Sequence, residues 1–274
     1  MKSGSGPSGR RGLLMDKHEL LPSRVLVVLE GAEPSNDTLA QLSRVLGTNA
    51  LELVGLFVED EDLLRAVRLP VFREVLLTGE VLESDHHRLQ RDIDGELRRL
   101  SVNFETAVRA FRYQCHVEVV HGHWLDTLSE VAKQFALVLV TRTERASGLR
   151  HRAVPEFQVL LKPGRNILIV NEPWSSGHSV VVLGPDAQAL HAGHRIAQPE
   201  RLDLVVVLPA GTPVPTELPE GTIVVRIDKW TEATVTNICK RWDARLLVTR
   251  DESWNHVFLA GLLDQLPCSL LRLG

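Results

Sequence analysis

Short apolar runs alternate with helical periodicity along the chain. Val25-Leu26-Val27-Val28-Leu29 holds no polar residue, the pattern of a strand buried on both faces of a parallel sheet. Pro34-Ser35-Asn36-Asp37 then opens a helix that runs to about Leu46 and closes at Gly47. Leu51 to Val58 reads as the second strand, and residues 60–80 as short amphipathic pieces broken by Pro70 and Gly79. A long helix capped near Ser84 or Asp85 follows, with Leu82, Leu89, Ile93, Leu97, Leu100, Phe104, Val108 and Phe111 on its apolar face. The third strand is Cys115 to Val120, the fourth Leu137 to Val140 and the fifth Asn166 to Val170. Helices over His123 to Phe135 and Ala153 to Leu161 lie between them. Strands alternating with helices in this way predict a doubly wound parallel α/β layer.

The order then restarts. Glu172-Pro173-Trp174-Ser175-Ser176-Gly177-His178 has the punctuation of a linker. After it come strand Ser179 to Leu183, a helix across Asp186 to Ile196, strand Leu202 to Leu208 and a Pro/Gly-rich loop, Pro209 to Gly221. That loop stands where the first unit has its long helix. Strand Ile223 to Ile227, helix Thr231 to Trp242, strand Arg245 to Val248, helix His256 to Leu266 and strand Ser269 to Leu273 complete the unit. Val-Thr-Arg occurs at the end of both fourth strands, as Val140-Thr141-Arg142 and Val248-Thr249-Arg250, 108 residues apart. That period is too long for a solenoid and suits a duplicated small domain. The organisation expected is a disordered segment over 1–22, a first domain over 23–172, a linker over 173–178 and a shortened second domain over 179–274.

Composition narrows the function. Of 274 residues, 44% are apolar and 24% charged, which is ordinary for a globular chain. The net charge of −4 divides evenly, with 22 basic and 24 acidic residues in 1–172 and 9 and 11 in 173–274. Neither unit has the basic excess that nucleic-acid binding requires. No apolar run approaches the roughly 18 residues that span a bilayer. Cys115, Cys239 and Cys268 are isolated, which points to a reducing, cytoplasmic setting rather than to a disulfide framework or zinc cluster. Met1 and Met15 are the only methionines, and Met15, just before the first strand, is an alternative start.

Arg24-Val25-Leu26-Val27-Val28-Leu29-Glu30-Gly31 and His121-Gly122-His123-Trp124-Leu125-Asp126-Thr127-Leu128, in this order and spacing, resemble the universal stress protein family and its tandem two-domain members. The resemblance covers Arg24 to Asn171 well and Ser179 to Leu273 weakly. It implies two five-stranded parallel sheets of adenine nucleotide α-hydrolase-like type, strand order 3-2-1-4-5. The ligand site would lie at the carboxyl ends of strands 1 and 4, the topological switch point. It also implies that the two fifth strands meet across a pseudo-twofold axis, so that one chain equals the family's usual dimer.

Members that bind ATP have an Asp ending strand 1, then Gly-x-x-Gly, nine residues and Gly-Ser/Thr after strand 4, where backbone N–H groups approach phosphate. This chain departs from that pattern twice. Thr141 to Gly148 contains one glycine, with Glu144 and Ser147 near where glycines would fall, and Thr249 to His256 contains none. Side chains there would block the approach, and Glu144, Asp251 and Glu252 would repel phosphate.

Candidate residues divide between chemistry and structure. If a nucleotide binds, the resemblance places it against Glu30, Gly31, Val58, Thr141, Arg142, Ser147 and Gly148. Glu30 can accept hydrogen bonds from ribose or adenine, or be a solvated strand-end acid. Arg142 and Arg250 can pair with an anionic ligand, or with neighbours such as Glu144 or Asp251, which is the favoured role. His116, His121 and His123, like His191 and His194, offer two or three imidazoles without a complete ligand set for zinc. Asp60, Glu61 and Asp62 suit a helix start. The apolar stretch from Leu63 to Leu77 either caps the cleft, meets a partner or covers the sheet edge. Trp254 stands where the ATP binders have their loop, either filling a vacated cleft or packing in the core. No nucleophile elbow, Cys/His pair or paired carboxylates form a catalytic motif. The reading is a non-catalytic stress-response regulatory or protein-binding module with a protein partner and possible homodimerisation, no catalytic residues and no metal. The alternative is a weak ATP or AMP sensor acting through the first cleft.

Overall fold

The computed structural model describes residues 24–29, 34–46, 52–62, 65, 73–75, 81–83, 86–111, 113–142, 164–171, 174, 176–250 and 256–274. The N-terminal half contributes β1 (Arg24–Val28), α1 (Asn36–Leu46), β2 (Glu52–Asp60), β3 (Arg73–Val75), β4 (Val81–Glu83), α2 (His86–Arg109), β5 (Gln114–Gly122), α3 (Trp124–Val131), β6 (Leu137–Arg142) and β7 (Asn166–Asn171). The C-terminal half contributes β8 (Ser179–Leu183), α4 (Ala187–Glu200), β9 (Asp203–Pro209), β10 (Ile223–Ile227), α5 (Glu232–Arg241), β11 (Ala244–Thr249), α6 (His256–Gln265) and β12 (Ser269–Arg272).

Ten strands form one sheet in the order β10-β9-β8-β11-β12-β7-β6-β1-β2-β5. Each half, numbered by itself without the β3–β4 hairpin, has the order 3-2-1-4-5. All pairings within the halves are parallel. Among the described strands of this sheet, only β12 and β7, the two fifth strands, pair antiparallel, through Leu270 with Ile169, Leu271 with Leu168 and Arg272 with Ile167.

The apolar runs alternate between two cores, as residues of a strand must. Leu26, Val28, Val54, Leu56, Val138, Val181 and Leu183 face the layer that holds α3, α5 and α6. Val25, Val27, Leu29, Leu53, Leu139, Val180 and Val182 face the layer of α1, α2 and α4. Gly55 lets α2 lie close on β2, since a Cβ there would stand 2.7 Å from Leu29 Cδ1 and 3.1 Å from the Phe104 ring.

Several sequence-based boundaries shift, among them that of β2, which runs on to Asp60, a residue expected to start a helix. Leu82 belongs to β4, which pairs with β3 in a separate hairpin, and not to the face of the long helix. The third strand is longer than expected because all nine of its residues find partners on β2. The helix expected over His123 to Phe135 ends at Val131 and tightens into a 3-10 turn over Ala132–Gln134. Helix α4 passes Ile196 and tolerates Pro199 in its last turn, ending where Arg201 turns left-handed (φ 54°) and Leu202 N–H donates to the Ala197 carbonyl at 3.0 Å. The segment 1–22, the helix over Ala153 to Leu161, Trp254 and most of 63–80 lie outside the described residues.

Polar side chains seal the junction of the halves. Asn171 donates to the Leu266 and Cys268 carbonyls at 3.2 and 2.9 Å, and Asn166 accepts from Gly274 N–H at 3.0 Å. Arg245 donates to the Gly177 carbonyl at 3.2 and 3.0 Å, fastening the chain just before β8 to β11. Gly177 has φ +98°, and a Cβ there would lie 2.7 Å from Arg245 N and 2.8 Å from Asp243 O, backbone atoms that cannot swing aside. Replacing Gly177 with Ala is therefore expected to lower the unfolding free energy by about 2–4 kcal/mol, read from urea denaturation.

Candidate functional site

The switch point of each half lies where strand 1 meets strand 4. In the N-terminal half, Val28 pairs with Leu56 on one side and Val140 on the other. Val58 and Thr141, both half-buried, therefore stand on either side of the carboxyl end of β1, and the Arg142 backbone ends β6 beside Asn171. Glu30, Gly31, Ser147 and Gly148 lie outside the described residues, as do residues 143–163, where a phosphate loop would be. Ser35 begins α1 and accepts the Thr38 N–H at 3.1 Å.

The rim beside this switch point is acidic and paired with histidine. Glu59 is buried to 8% exposure and meets His121 at 2.7 Å, while Asp62 meets His123 at 3.0 Å. Arg65 stands 3.7 Å from Glu61. His116, expected in the same cluster, sits further down β5 between Glu52 and Glu118, at 3.4 Å from each. Among the described residues no three His, Cys, Asp or Glu side chains gather as a metal-holding group. His191 and His194 lie on α4 away from this rim.

The C-terminal switch point is closed by its own side chains. Thr249 pairs with Leu183 and is buried, and Arg250 follows it. Asp186 caps α4, accepting the Gln188 and Ala189 N–H groups on one oxygen at 3.0 and 2.9 Å. Its other oxygen faces Arg250 at 3.4 Å, and Arg250 also donates to the Gly274 carbonyl at 3.3 Å. A helix N-terminus and a guanidinium are the two groups that recruit phosphate. Here one carboxylate answers both. Arg250 takes a structural role, paired with Asp186 at the cap of α4, while Asp251 lies outside the described residues.

Thiol chemistry is suppressed. Contact with Cys239, together with burial, holds the Cys268 thiol well above the ordinary range. Burial and then Glu105 raise Cys115. Neither is a poised thiolate.

No protein-family model and no curated protein matches this chain. Solved structures do. A universal stress protein from Archaeoglobus fulgidus DSM 4304 superposes with a TM-score of 0.59 at 12% identity, covering 91% of this chain and 95% of that one. The fold is that of a universal stress protein. A functionally unknown protein from Pseudomonas aeruginosa PAO1 gives 0.50 at 15% identity, with 92% of each chain covered. At such identities the likeness is one of backbone, so what this universal stress fold binds has to be read from its own side chains. Among the described residues no helix is long and apolar enough to cross a membrane.

Two measurements check the site. The Asp62 carboxylate raises His123 above the ordinary 6.5, first by hydrogen bonding and then by charge. A raised value means the pairing is complete below pH 6.5 and is lost as pH climbs through the raised value. His123 should accordingly titrate above 6.5 by NMR, and Asp62→Asn should bring it down. Asp186→Ala should cost about 1–2 kcal/mol in chemical denaturation by removing the cap and the ion pair, and Asp186→Asn, which keeps the cap, should cost less.

Proposed function

We propose that the chain is a non-catalytic regulatory or protein-binding module of the universal stress type, built from units 23–172 and 179–274 joined over 173–178. The observation that carries this reading is the Asp186–Arg250 pair, which occupies the helix N-terminus and the guanidinium that an anionic ligand of the C-terminal half would use. The acidic rim of Glu59 and Asp62 supports it in the N-terminal half, where negative potential disfavours phosphate. The raised thiols of Cys115 and Cys268 add support, since they leave these two poor nucleophiles. In this reading the two halves act as a pseudo-dimer within one chain, in the cytoplasm, and the ligand is another protein.

A second reading, a weak ATP or AMP sensor, is favoured by the placement of Val58 and Thr141 on either side of the end of β1, where an adenosine would lie against Glu30 and Arg142. Thermal unfolding with millimolar ATP, AMP or cyclic AMP separates the two, because a ligand that binds the native state raises the melting temperature. The expected result is no rise. A rise abolished by Glu30→Ala would establish the sensor instead, and co-purification of one stoichiometric protein would support the module.

A further inference from the structure

Strand β5 is one outer strand of the ten-stranded sheet, and among the described residues β2 is its one strand neighbour. Their pairing runs without a bulge over nine residues, from Glu52–Gln114 to Asp60–Gly122. The backbone N–H and C=O groups that face away from β2 therefore form an unbroken row of the same length. Proteins blunt such an edge with short strands, bulges, proline or charges, lysine above all. The other outer strand, β10, has five residues and carries the exposed Arg226. Gln114–Gly122 has no proline, lysine or arginine, and its Val119 is 39% exposed. The β5 edge lacks the usual protection.

The residues of β5 say what strand would fit beside it. Side chains alternate between the two faces of a sheet, so an added antiparallel strand has to bring residues of like face opposite one another. For a second copy of β5, the twofold axis then passes at a residue and not between two. An axis at His116 would set the two imidazoles against each other, and one at Glu118 the two carboxylates, which disfavours pairing. An axis at Val119 would set each Glu118 against Val120. An axis at Val117 sets each His116 opposite the other copy's Glu118, and each Cys115 opposite Val119.

Within one copy His116 Nε2 already lies 3.4 Å from Glu118, and these side chains are 45% and 41% exposed. Around an axis at Val117 the four therefore alternate, imidazole and carboxylate, in a closed ring. A neutral imidazole has an N–H to give a carboxylate, so the ring needs no particular charge on His116. On the other face Val117 meets its own image, flanked by Cys115 and Val119. The pattern is self-complementary, as a twofold interface has to be.

We propose that β5 is a homodimer interface, joining two copies of the chain edge to edge and antiparallel about Val117, in one continuous sheet with ten strands from each copy. The interface uses neither switch point, so it stands or falls apart from the reading of the ligand sites.

Sedimentation of the full chain from about 1 to 100 μM tests the interface. The expected species is a dimer. Val119→Lys, on an exposed side chain, places a lysine against Cys115 at two symmetric points. It should weaken association about tenfold or more while leaving the circular dichroism of the chain unchanged. Register is read by cross-linking under mild oxidation. Chains with His116→Cys, mixed with chains with Glu118→Cys, should form a disulfide-linked dimer faster than either variant alone. The mixed pair puts two thiols directly opposite and keeps the second His116–Glu118 contact. A chain that stays monomeric throughout would overturn the proposal and leave the edge to a strand of some other protein. So would a dimer that Val119→Lys leaves intact, or a mixture that links no faster than the single variants.

Discussion

A parallel five-stranded sheet of order 3-2-1-4-5 leaves its fifth strand with a row of N–H and C=O groups facing outward. This chain has two such sheets, and pairing β7 with β12 satisfies both rows at once. Because the pairing is antiparallel, the second half is turned over relative to the first. The carboxyl ends of β1 and β6 therefore emerge at one end of the sheet and those of β8 and β11 at the other. The two switch points cannot face a common ligand, and each has to be read by itself. Asn166 and Asn171, at the two ends of β7, complete the junction by bonding to the chain around β12.

With the halves joined, the same Val-Thr-Arg segment has come to two environments. The connection between strand 1 and its helix runs from Leu29 to Ser35 in the first half and only from Gly184 to Asp186 in the second. The shorter turn brings a carboxylate to the helix start within reach of the repeated arginine. That acid then serves as cap and counter-ion together. In the first half the turn is longer and the uncharged Ser35 stands at the cap. In the second half it is the short turn, more than the repeated motif, that decides what Arg250 meets.

Most of the fold was legible because its strands are buried on both faces. Unbroken runs such as Val25–Leu29 and Ser179–Leu183 stand out from the amphipathic helices between them, and the repeat supplied the order. What was not legible depends on contacts distant in sequence. Leu82 satisfies a helical spacing, yet the β3–β4 hairpin claims it. Asn166 and Asn171 look like ordinary strand ends until β12 comes alongside. Asp186 was readable as a cap but not as the partner of Arg250, 64 residues away. Of the predicted site residues, the structure brings together Val58, Thr141 and the backbone of Arg142. The histidines were read as one cluster around the end of the third strand, short of a ligand set for zinc, whereas the register of β5 on β2 sets them in separate carboxylate pairs.

That register follows from a pattern of period two. Glu52 and Glu59 lie seven residues apart on β2, so they point to opposite faces, and their partners on β5 are displaced by the same parity. His116 and His121, five apart, also fall on opposite faces, and each meets the acid that shares its own. A slip of one residue would break both pairs and turn the apolar positions Val54 and Leu56 toward the wrong core. The pairs thus agree with the hydrophobic alternation that sets β2 in the sheet, and the same parity places chemistry at the edge and apolar side chains in the two cores.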